Sequence, residues 1–288
     1  MSYLPFTILA YFLNSIAVTI DKFLLIKSIP NPLTYIFYIS VFSLLILLAF
    51  PFTLPPSPFT LALASISTIL WSLGAYLMFV AIKIGQVSRV VPVIGTLIPL
   101  MLLAHAVFFG TISQNQFIAV GILILGLIFL TLSSLHLADT GWEFLSAFCF
   151  AVSYLVLREA YIRENFLTVL VYSRLILIPL GLVILLIPSL RQIILITNRP
   201  KKGLPRTERY WGWLFVVGQA LGGIQQLLLT FSISLATPAL VNSLQGVQYV
   251  FLFLFSMWVF KEKYSLLILI SKILGIGLIG AGLYLLIQ

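Results

Sequence analysis

Six side-chain amides interrupt two neighbouring apolar stretches, residues 211–235 and 237–260: Gln219, Gln225 and Gln226, then Asn242, Gln245 and Gln248. An amide both donates and accepts hydrogen bonds, so a group of them can hold a zwitterion or a polar metabolite without a fixed charge. In hydrocarbon each is costly unless partnered or facing water, which makes each one a site candidate. The competing reading is interhelical glue, in which the amides satisfy one another. Spacing of three and four puts Asn242, Gln245 and Tyr249 on one helical face. The first half offers a less polar counterpart: Trp71 and Tyr76, then Pro92, Gly95, Thr96 and Pro99, where two prolines and a glycine free backbone groups or bend a helix.

Two cations, Arg174 and Lys272, lie eight residues into apolar stretches, about 12 Å of helical rise. Arg174 reads first as paired with another polar group or placed at the interface, with contact to an anionic solute as the competing reading; Lys272 can snorkel toward the interface. The acids Asp21, Asp139, Glu143, Glu159, Glu164, Glu208 and Glu262 all fall near span ends or in joints. Asp21 beside Lys22 and Glu159 beside Arg158 read as interfacial charges. Proton-coupled exchange of organic cations needs a buried carboxylate, so the acids favour a neutral or zwitterionic solute. The chain is not expected to be an enzyme and has no expected catalytic residue, metal or cofactor. His105 reads as a hydrogen-bonded structural group, with proton titration as the alternative, and His136 with Asp139 supplies too few metal ligands. Neither a Gly-x-Ser-x-Gly elbow nor a Walker loop is present. The single cysteine, Cys149, permits neither a disulfide framework nor a thiolate metal site within the chain.

These groups must be positioned by membrane-crossing helices. Of 288 residues, 61% are apolar and 8% charged, too little polar surface for a water-facing body. The apolar runs are continuous rather than alternating, which selects helices over barrel strands. Ten spans are expected: 4–26, 32–51, 59–83, 87–109, 114–135, 142–162, 166–188, 211–235, 237–260 and 265–287. The first has no basic segment before it and no cleavage site after it, so it reads as a retained helix. Residues 189–210, carrying Arg191, Arg199, Lys201, Lys202, Arg206 and Arg209, read as a solvated basic loop rather than a nucleic-acid site. Joints after odd-numbered spans hold those six cations with Lys22, Lys27, Lys83, Arg89, Lys261 and Lys263; joints after even-numbered spans hold only Arg158 and Arg163. Lys and Arg stay cytoplasmic during insertion, which places both termini outside.

The halves resemble each other. Lys22–Lys27 recurs as Arg158–Arg163, Asn31–Tyr38 as Asn165–Tyr172 and Val107–Ser113 as Val259–Ser265, while Gly121 with Gly126 matches Gly277 with Gly282. The common order divides the chain into 1–136 and 137–288, five spans each. Five is odd, so the second copy enters from the opposite side. The fold expected is an all-α membrane protein with ten transmembrane helices as a 5+5 inverted-topology repeat around a central cavity, the arrangement that supports alternating access.

Lys261-Glu262-Lys263 followed by the glycine-bearing run Gly275–Gly282, in a chain of two five-span halves, resembles the EamA-type members of the drug/metabolite transporter superfamily. Glu262 matches the family's Glu; Gly110 stands in its place in the first half. The resemblance implies that the first four helices of each half surround the cavity. It thereby implies Asn14, Trp71, Thr96, Tyr154, Gln225, Asn242 and Gln245 as substrate-binding residues. It also implies cytoplasmic termini, against the charge count. The expected function is a secondary carrier or facilitator that exports a small organic metabolite, such as an amino acid, across the cytoplasmic membrane. A carrier of lipid-linked intermediates is the alternative, and an integral-membrane enzyme a more remote one. The partners expected are the solute and the bilayer. The glycine-lined tenth span leaves a homodimer open.

Overall fold

The computed structural model describes residues 3–27, 31–84, 87–131, 141–197, 208–258 and 265–287. Among them there is no strand. The helices are α1 (Tyr3–Lys27), α2 (Pro32–Ser43) continued by a 3-10 helix (Leu44–Phe52), α3 (Pro58–Ile84), α4 (Val87–Phe108), α5 (Gln114–Thr131) and α6 (Gly141–Arg163). They continue with α7 (Phe166–Leu175), α8 (Leu177–Leu186), α9 (Pro188–Thr197), α10 (Glu208–Leu235), α11 (Pro238–Ser243), α12 (Gly246–Trp258) and α13 (Leu266–Ile287). Eight stretches are long and apolar enough to cross a membrane: Tyr3–Asp21, Pro32–Phe52, Pro58–Ala81, Gly141–Arg163, Phe166–Leu186, Trp213–Leu235, Pro238–Phe255 and Leu266–Leu285. Two shorter apolar helices, Val93–Phe108 and Gln114–Leu130, fall where the fourth and fifth spans are expected. The described residues make an all-helical, multi-pass membrane protein. Leu48, Phe52 and Leu267 are 79%, 81% and 82% exposed, as side chains facing lipid rather than water would be.

Local chemistry sets the helix ends. The Asn31 side chain caps α2, accepting from the Leu33 N–H at 2.9 Å, and Asn165 caps α7, accepting from the Thr168 N–H at 2.8 Å. These are the two positions that the internal similarity pairs. At the other end of α4, Gly110 adopts φ 62°, and the Thr111 N–H reaches back to the Ala106 carbonyl at 2.9 Å. This left-handed stop closes the helix and accounts for glycine at that position.

Three long helix pairs form the frame, and all three run antiparallel. On α3 and α6 the Ser67 hydroxyl donates to the Ser153 carbonyl at 3.0 Å and Ser153 returns the bond to the Ser67 carbonyl at 2.8 Å; seven residues along α3 and seven back along α6, Ser146 donates to the Gly74 carbonyl at 2.8 Å. On α1 and α10, Phe6 packs edge-on against Phe231 with centroids 5.1 Å apart, while Ile20 lies against Gly218. On α5 and α13, Gly126 lies against Ile279, and three residues back along α5 Leu123 lies against Gly282. A Cβ at Gly126 would fall 2.8 Å from the Ile279 side chain, and one at Gly282 2.7 Å from that of Leu123.

Three expected spans are interrupted. The second ends in the 3-10 stretch containing Pro51. The seventh breaks at Ile176, where Pro179 has no N–H for the Leu175 carbonyl. The ninth breaks between α11 and α12, where the bonds from the Gln245 N–H to the Asn242 carbonyl and from the Gln248 N–H to the Gln245 carbonyl, each 3.0 Å, close tight turns. One expectation is corrected: of the residues 189–210 expected as loop, 189–197 belong to α9 and 208–210 begin α10. Proline stands at the first position of α9, and Leu190, Ile193 and Ile194 recur on one side while Arg191 and Gln192 face out. The cations from Arg199 to Arg206, His136 with Asp139, and Glu262 with its flanking lysines lie outside the described residues.

Candidate functional site

A cavity of about 640 Å³ is lined by α1, α2, α3, α4, α6, α7, α10 and the α11–α12 break. Of the seven residues expected to line a site, Asn14, Trp71, Tyr154, Gln225, Asn242 and Gln245 stand in its wall. They come from α1, α3, α6, α10, α11 and the turn that follows it. Trp71 meets Phe150 edge-on at 5.9 Å, and Phe150 stacks on Tyr154 at 6.5 Å, forming an aromatic side to the wall.

Thr96 is the exception. It is buried on α4, whose wall residues are Ile94, Gly95 and Ile98; the next helical step, about 100°, turns Thr96 away. Gly95 marks the close approach of α4 to the broken span: a Cβ there would lie 2.8 Å from Gln245 Nε2 and collide with the Tyr249 hydroxyl.

The amides divide between the two roles that the sequence leaves open. Asn14 Nδ2 donates to Gln248 Oε1 at 2.9 Å, joining α1 to α12 while both residues line the cavity. Asn242 turns its Nδ2 to the Pro238 carbonyl at 2.9 Å, and the Tyr11 hydroxyl reaches its Oδ1 at 3.5 Å. Gln219, Gln225, Gln226 and Gln245 also line the cavity.

Among the described residues, two charged groups belong to the wall, Asp21 and Arg174. Asp21 ends the apolar stretch Tyr3–Asp21, as its neighbour Lys22 suggests, and also stands in the cavity wall. The helix continues six residues beyond it, Gly218 leaves room beside its carboxylate, and the Tyr35 hydroxyl donates to Oδ1. Gly218 and Gly222 serve packing inside the chain, facing Ile20 and Ala17 of α1. Lys272 lies away from the cavity and donates to the Leu130 carbonyl in the last turn of α5 at 3.2 Å, a position where a helix end attracts a cation.

The cavity stops short of one end of the bundle. There Phe231 packs against Phe6 and Phe166, each at 5.1 Å, and Phe166 against Tyr161 at 5.5 Å. Arg158 donates from Nη1 to the Ile233 carbonyl at 2.9 Å and also to that of Ser234, satisfying last-turn carbonyls of α10. On each helix of this cluster the wall residues begin beyond it: Tyr11 on α1, Tyr154 on α6, Leu170 on α7 and Leu229 on α10. Toward the other end the wall runs to Asp21 on α1 and Val216 on α10, three residues from Trp213, where that apolar stretch begins.

No protein-family model and no curated protein matches the chain. Among 27 matching chains of solved structures is one described only as "Crystal structure of protein", with a TM-score of 0.63 at 15% identity over 95% of this chain and 98% of that one. At that identity the likeness establishes a fold shared over nearly the whole of both chains.

Proposed function

We propose that the chain is a secondary transporter or facilitator of the EamA type, exporting a small organic metabolite such as an amino acid across the cytoplasmic membrane by alternating access. The observation that carries this reading is the one-sided cavity, lined by amides at mid-bundle and stopped by aromatic packing and Arg158 at one end. Alternating access requires a path closed on one side at a time. The ten-crossing, 5+5 arrangement has support from helix pairing. Exchanging the halves converts the α1–α10 pair into the α6–α3 pair. The same exchange carries the Gly126–Ile279 contact onto Gly282–Leu123, in the register in which the sequence matches Gly126 with Gly282.

Purified protein in liposomes, given radiolabelled amino acids with and without a proton gradient, should show saturable counterflow. Absence of flux for every small solute would sink the proposal. If lipid movement accompanied that absence, the chain would instead be a carrier of lipid-linked intermediates.

A further inference from the structure

Arg174 is a fixed positive charge in the cavity wall, and no acid among the described residues pairs with it. A guanidinium stays protonated and offers a planar fork of donors, and the electrostatic neighbour of Arg174, the Tyr161 hydroxyl, is a neutral group that leaves its charge uncompensated. The other wall charge, Asp21, is at a different level. Phe6 and Phe166 both pack on Phe231, which fixes a common level for α1, α7 and α10. From there α7 climbs eight residues to Arg174, roughly 12 Å, and α1 climbs fifteen to Asp21, roughly 22 Å, at the rise of an α-helix. The same eight-residue climb reaches Asn14 on α1 and Gly223 on α10, one turn from Gln225 and Gln226. The backbone positions of Arg174 and of these amides therefore share a level of the cavity, while that of Asp21, already accepting from Tyr35, lies roughly 10 Å beyond it.

We infer that the transported solute carries a carboxylate, held by Arg174 at the level of Asn14, Gln225 and Gln226. The inference rests on the transport reading and names its substrate class. A carboxylate takes two parallel bonds from a guanidinium, which fixes both its charge and its orientation. The neighbouring amides remain to accept from an ammonium or hydroxyl elsewhere on the solute. Asp21 is too far to bind the ammonium of a simple α-amino acid whose carboxylate sits on Arg174, so monocarboxylates and amino acids both qualify.

The test uses L-amino acids, their α-amides and simple monocarboxylates as probes, with counterflow in liposomes and thermal stabilisation of the purified protein as separate readouts. Carboxylate-bearing probes should be carried and should stabilise; the amides should do neither. Arg174→Gln should weaken carboxylate binding by about tenfold or more, and Arg174→Lys, which keeps the charge but loses the fork, by less. Equal handling of acids and amides by the unaltered protein would overturn the inference, whether or not the variants fold. So would unchanged carboxylate binding in a folded Arg174→Gln protein. Stabilisation by carboxylates without flux would preserve the carboxylate site and remove the transport reading. Neither flux nor stabilisation by any carboxylate would remove both.

Discussion

Asn14 and Gln248 satisfy each other across α1 and α12, and Gln248 is only 1% exposed. Replacing one with leucine leaves the other's amide short of a partner, at a cost of about 1–3 kcal/mol, the lower end where cavity water can reach it. Asn14→Leu and Gln248→Leu should each lower the thermal midpoint in detergent, and the double variant should lose less than the two combined. Strict additivity would show that the pair is not coupled. Such amides are legible in the sequence because a polar side chain in hydrocarbon is conspicuous. Asp21 is legible as the end of its apolar stretch, but its place in the cavity wall is not, because only the packing of Gly218 against α1 reveals room for a carboxylate. Thr96 errs by a single helical step, since periodicity without a partner helix does not say which face of α4 looks inward.

The α5–α13 pair shows how glycine position decides helix contact. A Cβ on Gly275 would stand 2.8 Å from the Gly126 carbonyl oxygen and 2.9 Å from the Leu130 side chain, whereas one on Gly277 or Gly280 would meet nothing within 4 Å. Gly275→Ala should therefore force the helices apart and destabilise by about 1–3 kcal/mol, as overpacking does. Gly277→Ala should be neutral or stabilising by up to about 1 kcal/mol, because alanine is the better helix former. Thermal unfolding of both variants checks this; equal midpoints would contradict the antiparallel seam. The eight stretches long enough to cross a membrane are readable from apolar length, and two helix starts from Asn caps. The breaks at Ile176 in the seventh span and after Ser243 in the ninth are not, because a run such as Leu175–Leu186 is equally apolar whether its helix is continuous or interrupted. Likewise α9 is hidden by the cations that follow it, although its apolar spacing is helical.

At the scale of the molecule, the pairing of α5 with α13 constrains topology. If, as proposed, they occupy equivalent places in two copies of one unit, these antiparallel helices must enter the membrane from opposite sides. Ser113 and Ser265 precede these helices at matched positions, and both are exposed. With the only cysteine removed as Cys149→Ser, the single variants Ser113→Cys and Ser265→Cys should react with a membrane-impermeant maleimide from opposite faces. Reaction of both from one face would defeat the inverted arrangement and, with it, the exchange of halves on which alternating access depends. The same labelling determines orientation. Lys and Arg crowd the joints after odd-numbered spans, which puts the termini outside, while the family resemblance puts them in the cytoplasm. The cluster of Phe6, Phe166 and Phe231 lies where α1 begins, so cytoplasmic termini mean a cavity closed toward the cytoplasm and external termini the reverse. Ser265 starts the helix that ends the chain, so Ser265→Cys lies on the face opposite the C-terminus: labelling from outside the cell would favour cytoplasmic termini and a cavity directed outward.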